Sequence, residues 1–258
     1  MKNHTTFKIG GPCDEFCEVT STEEIKELIE YAKAKNIPYT IIGNGSNLIV
    51  SDKGIRGLVI KIAKGFDKIE VNGTKIVAEA GILLSRLANT ALKHSLSGLE
   101  FASGIPGTLG GAVYMNAGAY DGEMKDVVKS VTYLKDGEVL KTENPDFSYR
   151  HSMFSNGEMI ILSVEMELKN GNYDEIKAKM EDFSKRRAEK QPLTQPSAGS
   201  TFKRPEGYFA GKLIQDAGLK GCSIGGAMVS DKHSGFVVNT GNATCGDVLE
   251  LVEHLRKT

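Results

Sequence analysis

Arg150 stands in Ser148-Tyr149-Arg150-His151-Ser152, and Ser200 stands in Ser197-Ala198-Gly199-Ser200-Thr201-Phe202-Lys203-Arg204-Pro205. A guanidinium suits a carboxylate or phosphate through its two-pronged geometry; the plainer alternative is a surface arginine after a loop. A hydroxyl beside two cations can deliver a proton to a carbon or bind an oxyanion, and otherwise belongs to a polar linker. His151 and His233 have no partner at triad-like local spacing and read as structural.

Two glycine-rich segments could cradle a ligand. Gly43-Asn44-Gly45-Ser46-Asn47 fails as a dinucleotide fingerprint, because Leu48 stands where the last glycine is required and no helix follows. Consecutive amides in a turn still form a nest for a pyrophosphate, the alternative being a plain Gly-Asn turn. The longer run from Phe101 to Tyr120 holds Gly104, Gly107, Gly110, Gly111 and Gly118 together with Asn116. It lacks the Gly-Lys-Ser/Thr ending of a P-loop, so nucleoside triphosphate hydrolysis has little support. So many small residues suit close approach of backbone to a flat or extended cofactor; tight helix packing would account for only one or two.

Composition narrows the classes. The chain has 258 residues, 32 basic and 33 acidic, a balance that offers no field for nucleic acid or an anionic membrane. Cys13, Cys17, Cys222 and Cys245 form no C-x-x-C pair and read as small buried thiols in a reducing cytosol, and no metal-ligand spacing occurs among the histidines. No apolar run approaches a membrane span and no signal-peptide pattern is present, so a cytoplasmic, soluble chain is expected.

The elements that would position these motifs alternate in type. A strand at 15–19, a capping-box helix from Ser21 and a strand at Tyr39–Ile42 lead into the first glycine segment, with further apolar runs at 47–50 and 58–62. Val71-Asn72-Gly73-Thr74 signals a hairpin, 83–94 a helix, 131–140 a second hairpin with 159–168 beside it, and 173–190 an amphipathic helix. Gln191–Ser200 is rich in Pro, Ser, Gly and Gln and marks a domain boundary. Beyond it, 208–217 and 246–256 read as helices and 224–229 and 235–238 as strands.

In this order and spacing, Gly43–Asn47, Gly104-Ile105-Pro106-Gly107-Thr108 with Gly110-Gly111, Met115-Asn116-Ala117-Gly118-Ala119-Tyr120, Ser148-Tyr149-Arg150 and Ala198-Gly199-Ser200-Thr201-Phe202-Lys203 resemble the UDP-N-acetylenolpyruvoylglucosamine reductases. These are flavoenzymes of bacterial peptidoglycan synthesis. Met1–Pro12 and Ile224-Gly225-Gly226-Ala227 extend the likeness over essentially the whole chain. The resemblance implies an α+β chain: a two-part vanillyl-alcohol-oxidase-type FAD-binding domain (residues 1–66 and 67–190) and a smaller α+β substrate domain (191–258). It implies FAD as cofactor, NADPH as hydride donor, a sugar-nucleotide substrate and a monomer.

Residue by residue, it implies FAD contacts from Gly43, Asn44, Gly45, Ser46, Asn47, Ser103, Gly104, Gly107, Thr108, Gly110, Gly111, Asn116, Gly118 and Ala119. Arg150 and Ser200 correspond to catalytic groups, Ser200 being the proton donor to C2; Lys190, Lys203 and Arg204 are candidates for binding the substrate, Lys190 and Arg204 at its diphosphate. The interval from Arg150 to Ser200 has no room for the insert of one subgroup, which implies the insertion-lacking type. Many relatives have asparagine where Arg204 stands. The family continues beyond the last helix to a Glu-x-Arg segment bearing a third catalytic group; the chain ends at Thr258, Glu250 and Glu253 do not match that motif, and a truncated substrate domain is expected. The rival readings are a flavin oxidase for another small molecule and a non-catalytic nucleotide-binding module.

Overall fold

The structure is a computed structural model and describes residues 1–258. It divides into two compact units that do not follow chain order: a larger one of Phe16–Asn44 and Leu58–Lys185, and a smaller one of Met1–Glu15, Gly45–Gly57 and Arg186–Thr258.

In the larger unit, helix α1 (Thr22–Ala34) starts as expected, with Ser21 accepting the Glu24 amide. The Glu24 carboxylate returns to the Thr20 amide and hydroxyl. A five-stranded antiparallel sheet forms the main layer. Its strands run in the order Glu138–Thr142, Val128–Lys135, Ile160–Glu167, Lys75–Glu79, Ile69–Asn72. The Lys75–Glu79 strand alternates, burying Ile76 and Ala78 while Val77 faces out. The central strand does not alternate at its start: Ile160, Ile161 and Leu162 are all buried, and an irregular register between Ile161 and Ser163 lets consecutive side chains face the core. Helix α2 (Leu84–Lys93) packs Leu84, Leu87, Ala88 and Ala91 into the same core.

One expectation for this part of the chain needs correction. Residues 47–50 form no strand; Val50 is buried and Ile49 exposed along an irregular stretch before the strand Ile55–Ile62. Within the glycine-rich run, Leu109–Tyr114 forms the short helix α3, with Leu109, Ala112 and Val113 buried. Those three apolar side chains outweigh the low helix propensity of Gly110 and Gly111.

Helix α4 spans Tyr173–Lys190 as expected, burying Ile176, Met180 and Phe183. The smaller unit carries a four-stranded sheet in the order Ser197–Ser200, Phe236–Asn239, Ala227–Val229, Ser223–Ile224, with helices α5 (Ala210–Asp216) and α6 (Cys245–Lys257). The expected strand at 224–229 is a hairpin, because Gly225 takes φ +52° and turns the chain. α5 starts later than expected, leaving Tyr208 and Phe209 exposed ahead of it. Asp52 accepts the Cys245 and Gly246 amides at 2.8 and 2.9 Å, closing the start of α6. Asn239 donates to the Phe7 carbonyl and Thr6 to the Ser197 carbonyl, fastening the N-terminal segment within the same unit. Of the four thiols only Cys245 is buried; the other three are half-buried, and all are free.

The chain after Arg150 is fixed by a buried anchor. Phe154 has no exposed surface and meets Tyr133 edge-on, ring centroids 5.4 Å apart. Ser152 and Ser155 donate to the Tyr114 carbonyl, so this turn is stitched to the end of α3. Phe154→Ala should cost about 3–5 kcal/mol, which for a chain of this size lowers the melting temperature by roughly 10 °C. Thermal unfolding followed by circular dichroism checks it; a shift under about 2 °C would mean that the site collapses without loss.

Candidate active site

Within the larger unit the two glycine-rich segments meet. Asn44 donates from Nδ2 to the Pro106 carbonyl at 2.6 Å, and a Cβ on Gly43 would lie 2.3 Å from Thr108 Oγ1. Glycine at 43 is therefore required by the Thr108 side chain itself. Gly110 is likewise crowded by Ala80. Gly111 differs: it is exposed, and a Cβ there would meet only Thr108 Oγ1, at an ordinary 3.7 Å. Internal packing thus accounts for Gly43 and Gly110 and leaves Gly111 facing open space. Ser103 is half-buried, donating to the Glu100 carbonyl, and Thr108 is buried.

Glu100 anchors the turn before this run. Burial alone would raise its pKa, but the Ser97 hydroxyl, the Gly98 amide and Lys179 outweigh it and hold the carboxyl below its ordinary range.

Asn116 was expected to touch the cofactor, and its side chain is not available for that. It is fully buried; Nδ2 donates to Glu123 Oε2 at 2.7 Å and to the Ser148 carbonyl at 3.0 Å, and Oδ1 accepts the Lys125 amide at 3.0 Å. Gly118 and Ala119 form one arm of a tight hairpin whose other arm is Gly122-Glu123. At its tip Tyr120 stacks on Phe183 with centroids 4.4 Å apart and donates to the Phe183 carbonyl.

Arg150 is half-buried and has no acidic partner. Its Nη1 donates to the Asn116 carbonyl at 3.3 Å and its Nη2 to the Gly118 carbonyl at 3.0 Å, with the Tyr149 ring alongside. Of five N–H donors, these bonds leave three free to meet a ligand. The flanking residues Tyr149 and His151 are exposed. Arg150, Asn116, Tyr120 and Asp121 all have positive φ. Such conformations cost about 1–3 kcal/mol each for ordinary residues and less for Asn and Asp, so the surrounding bonds must hold them.

In the smaller unit, the amides of Gly45, Ser46 and Asn47 donate to no protein acceptor. Consecutive unbonded amides of this kind form anion nests. Ser200 ends the strand Ser197–Ser200, is exposed, and its hydroxyl has no protein partner. The neighbouring backbone is firmly set: the Thr201 amide donates to the Gly235 carbonyl, and Thr201 Oγ1 accepts the Val237 amide. Lys190, Lys203 and Arg204 are exposed, with Arg204 stacked over Phe209 at 4.4 Å.

His233 Nδ1 accepts the Gly235 amide at 3.1 Å. Burial holds the imidazole pKa below its ordinary 6.5, with a backbone bond opposing. The ring thus braces its own loop through the Gly235 amide. The Asn116–Glu123 pair went unrecognised in the sequence; the only signal was an asparagine too deep in an apolar segment to be solvated.

A family model described as an FAD binding domain matches residues 14–143, and another, the C-terminal domain of UDP-N-acetylenolpyruvoylglucosamine reductase, matches 191–258. The chain is 58% identical to the UDP-N-acetylenolpyruvoylglucosamine reductase of Caldanaerobacter subterraneus subsp. tengcongensis, covering 100% of this chain and 86% of that protein. It is 56% identical to that of Alkaliphilus oremlandii, covering 99% and 85%. The crystal structure of the Thermus caldophilus reductase superposes with a TM-score of 0.88 at 40% identity, covering 99% of this chain and 92% of that one.

Fold and site thus define an FAD-dependent oxidoreductase with an FAD-binding domain and a smaller α+β C-terminal domain. The chain belongs to the UDP-N-acetylenolpyruvoylglucosamine reductase family, which acts in peptidoglycan precursor synthesis. Its substrate is accordingly a sugar nucleotide.

Because the folded pKa of His233 is depressed, the unfolded chain takes up the proton first as pH falls. Stability should therefore decline from about pH 6.5 down to the lowered folded value and then level off. Melting temperatures of the parent and His233→Gln between pH 8 and 5 should converge as pH falls; parallel curves would show that neutrality of this ring does not matter.

Proposed function

We propose that this chain reduces UDP-N-acetylglucosamine enolpyruvate to UDP-N-acetylmuramate with NADPH as electron source, as a cytoplasmic monomer. The functional division is residues 1–66 and 67–190 for FAD and 191–258 for the sugar nucleotide. The observation that carries the reading is Arg150, a guanidinium tied to two carbonyls and to no acid.

When bound, FAD would supply the hydride that adds to C3 of the enolpyruvyl group. The free amides of Gly45, Ser46 and Asn47 suit its pyrophosphate, and Gly43, Asn44, Ser103, Gly104, Gly107, Thr108, Gly110, Gly111, Gly118 and Ala119 provide small-residue backbone for the remainder. Asn116, fully buried and with its carbonyl bonded to Arg150, stands outside this set.

Hydride addition moves charge onto the substrate carboxylate, and Arg150 stabilises that developing dianion more than the ground state. Ser200 then delivers the proton to C2. Serine is a weak acid, so the acceptor must be as basic as an enolate, or a water must relay. Lys190, Lys203 and Arg204 supply cations for the substrate, Lys190 and Arg204 for the diphosphate.

Ser200→Ala should leave flavin reduction by NADPH within about twofold and slow flavin reoxidation by the enolpyruvyl substrate by about 10²–10⁴-fold. Stopped-flow absorbance separates the two half-reactions. Equal slowing of both would refute the proton-donor role. Arg150→Ala should slow reoxidation by about 10²–10³-fold; an unaffected rate would remove Arg150 from the chemistry.

A further inference from the structure

The bonds that hold Arg150 converge on one buried side chain. The Asn116 carbonyl accepts Arg150 Nη1, and the Asn116 amide group grips the Ser148 carbonyl two residues before Arg150. The same group donates to Glu123, and its oxygen takes the Lys125 amide. Asn116 therefore ties the loop bearing the arginine to the hairpin whose Gly118 carbonyl accepts Nη2. Glu123 is fixed in turn by an ion pair with Lys125, and its own amide donates to Asp126.

The chemistry of each contact is one-sided. Both acceptors facing Asn116 Nδ2 are oxygens, so only a donor fits there. Asn116 and Arg150 both occupy left-handed backbone, at φ +40° and +56°, which the network must maintain. Asn116 has no exposed surface and can reach neither cofactor nor substrate.

We propose that Asn116 and Glu123 are positioning residues for the reduction: they hold Arg150 with two donors committed to carbonyls and its remaining donors presented to the substrate carboxylate. This rests on the role given to Arg150 above, and the test separates the two.

Asn116→Asp sets a carboxylate against two oxygens. Reoxidation of the flavin by the enolpyruvyl substrate should slow about tenfold or more, with reduction by NADPH within about twofold. Glu123→Gln keeps one acceptor for Asn116 but loses the ion pair with Lys125, and should slow reoxidation about threefold to tenfold, with reduction by NADPH within about twofold. Combined, the amide at 123 can donate to the carboxylate at 116, so Asn116→Asp with Glu123→Gln should recover a large part of the loss, a coupling that a double-mutant cycle reads directly. Amide hydrogen exchange should show faster opening at residues 117–124 and 148–150 in Asn116→Asp and restored protection in the double variant, with or without FAD.

Equal slowing of both half-reactions, or additive effects with no recovery, would overturn the proposal. If Asn116→Asp fails to fold, the double variant decides: restored folding and reoxidation support it, and continued failure counts against it. Arg150→Ala is the reference. A slow reoxidation there with an unaffected Asn116→Asp defeats only the positioning role, whereas an unaffected Arg150→Ala defeats the underlying reading.

Discussion

A positive charge held without a negative partner is the constraint around which the larger unit is arranged. Arg150 could have been neutralised by a carboxylate, as charged side chains are when fully buried. Two backbone carbonyls take that place, giving direction to the guanidinium and leaving its charge uncompensated. At an effective dielectric near 20, a unit charge about 4 Å away is worth roughly 4 kcal/mol. An acid so placed would offset what the arginine offers a substrate carboxylate. The nearby acid, Glu123, is occupied by Lys125 and by the Asn116 amide.

Holding a charge in this way requires rigid carbonyls, and carbonyls are only as rigid as their backbone. This explains why buried anchors crowd the same region. Phe154 fixes the chain just after Arg150, Ser152 and Ser155 bind it to the end of α3, and Tyr120 locks the hairpin against α4 by stacking on Phe183. None of these side chains needs to touch a ligand to matter for one. Each removes freedom from an atom that aims the guanidinium.

The regular elements were legible because their signals are local. Ser21 capped α1, Gly73 turned a hairpin between Asn72 and Lys75, and the apolar spacing of Ile176, Met180 and Phe183 placed α4. The motifs of the site were legible as a set, through their order along the chain. Individual roles were less so. Gly43 looked like a place for a ligand and is empty of side chain because Thr108 fills the space; Asn116 looked like a ligand contact and is a buried strut. Both facts depend on partners distant in sequence: 43 with 108, and 116 with 148. A spacing rule reads neighbours within a turn or a strand and carries no information on such pairs. The run at 47–50 failed for a related reason, since its apolar residues suggested a strand but it found no sheet partner.

Ser200 shows the opposite economy of order. Its neighbours are pinned through the Gly235 carbonyl and Thr201 Oγ1, while the hydroxyl itself makes no bond within the protein. A hydroxyl committed to a protein acceptor would have to break that bond before giving its proton elsewhere. A serine is already a poor acid, and an added hydrogen bond to a neutral acceptor would make the transfer harder still. The backbone at Ser200 is therefore fixed while its hydroxyl stays free to rotate, the combination that the proposed proton transfer requires.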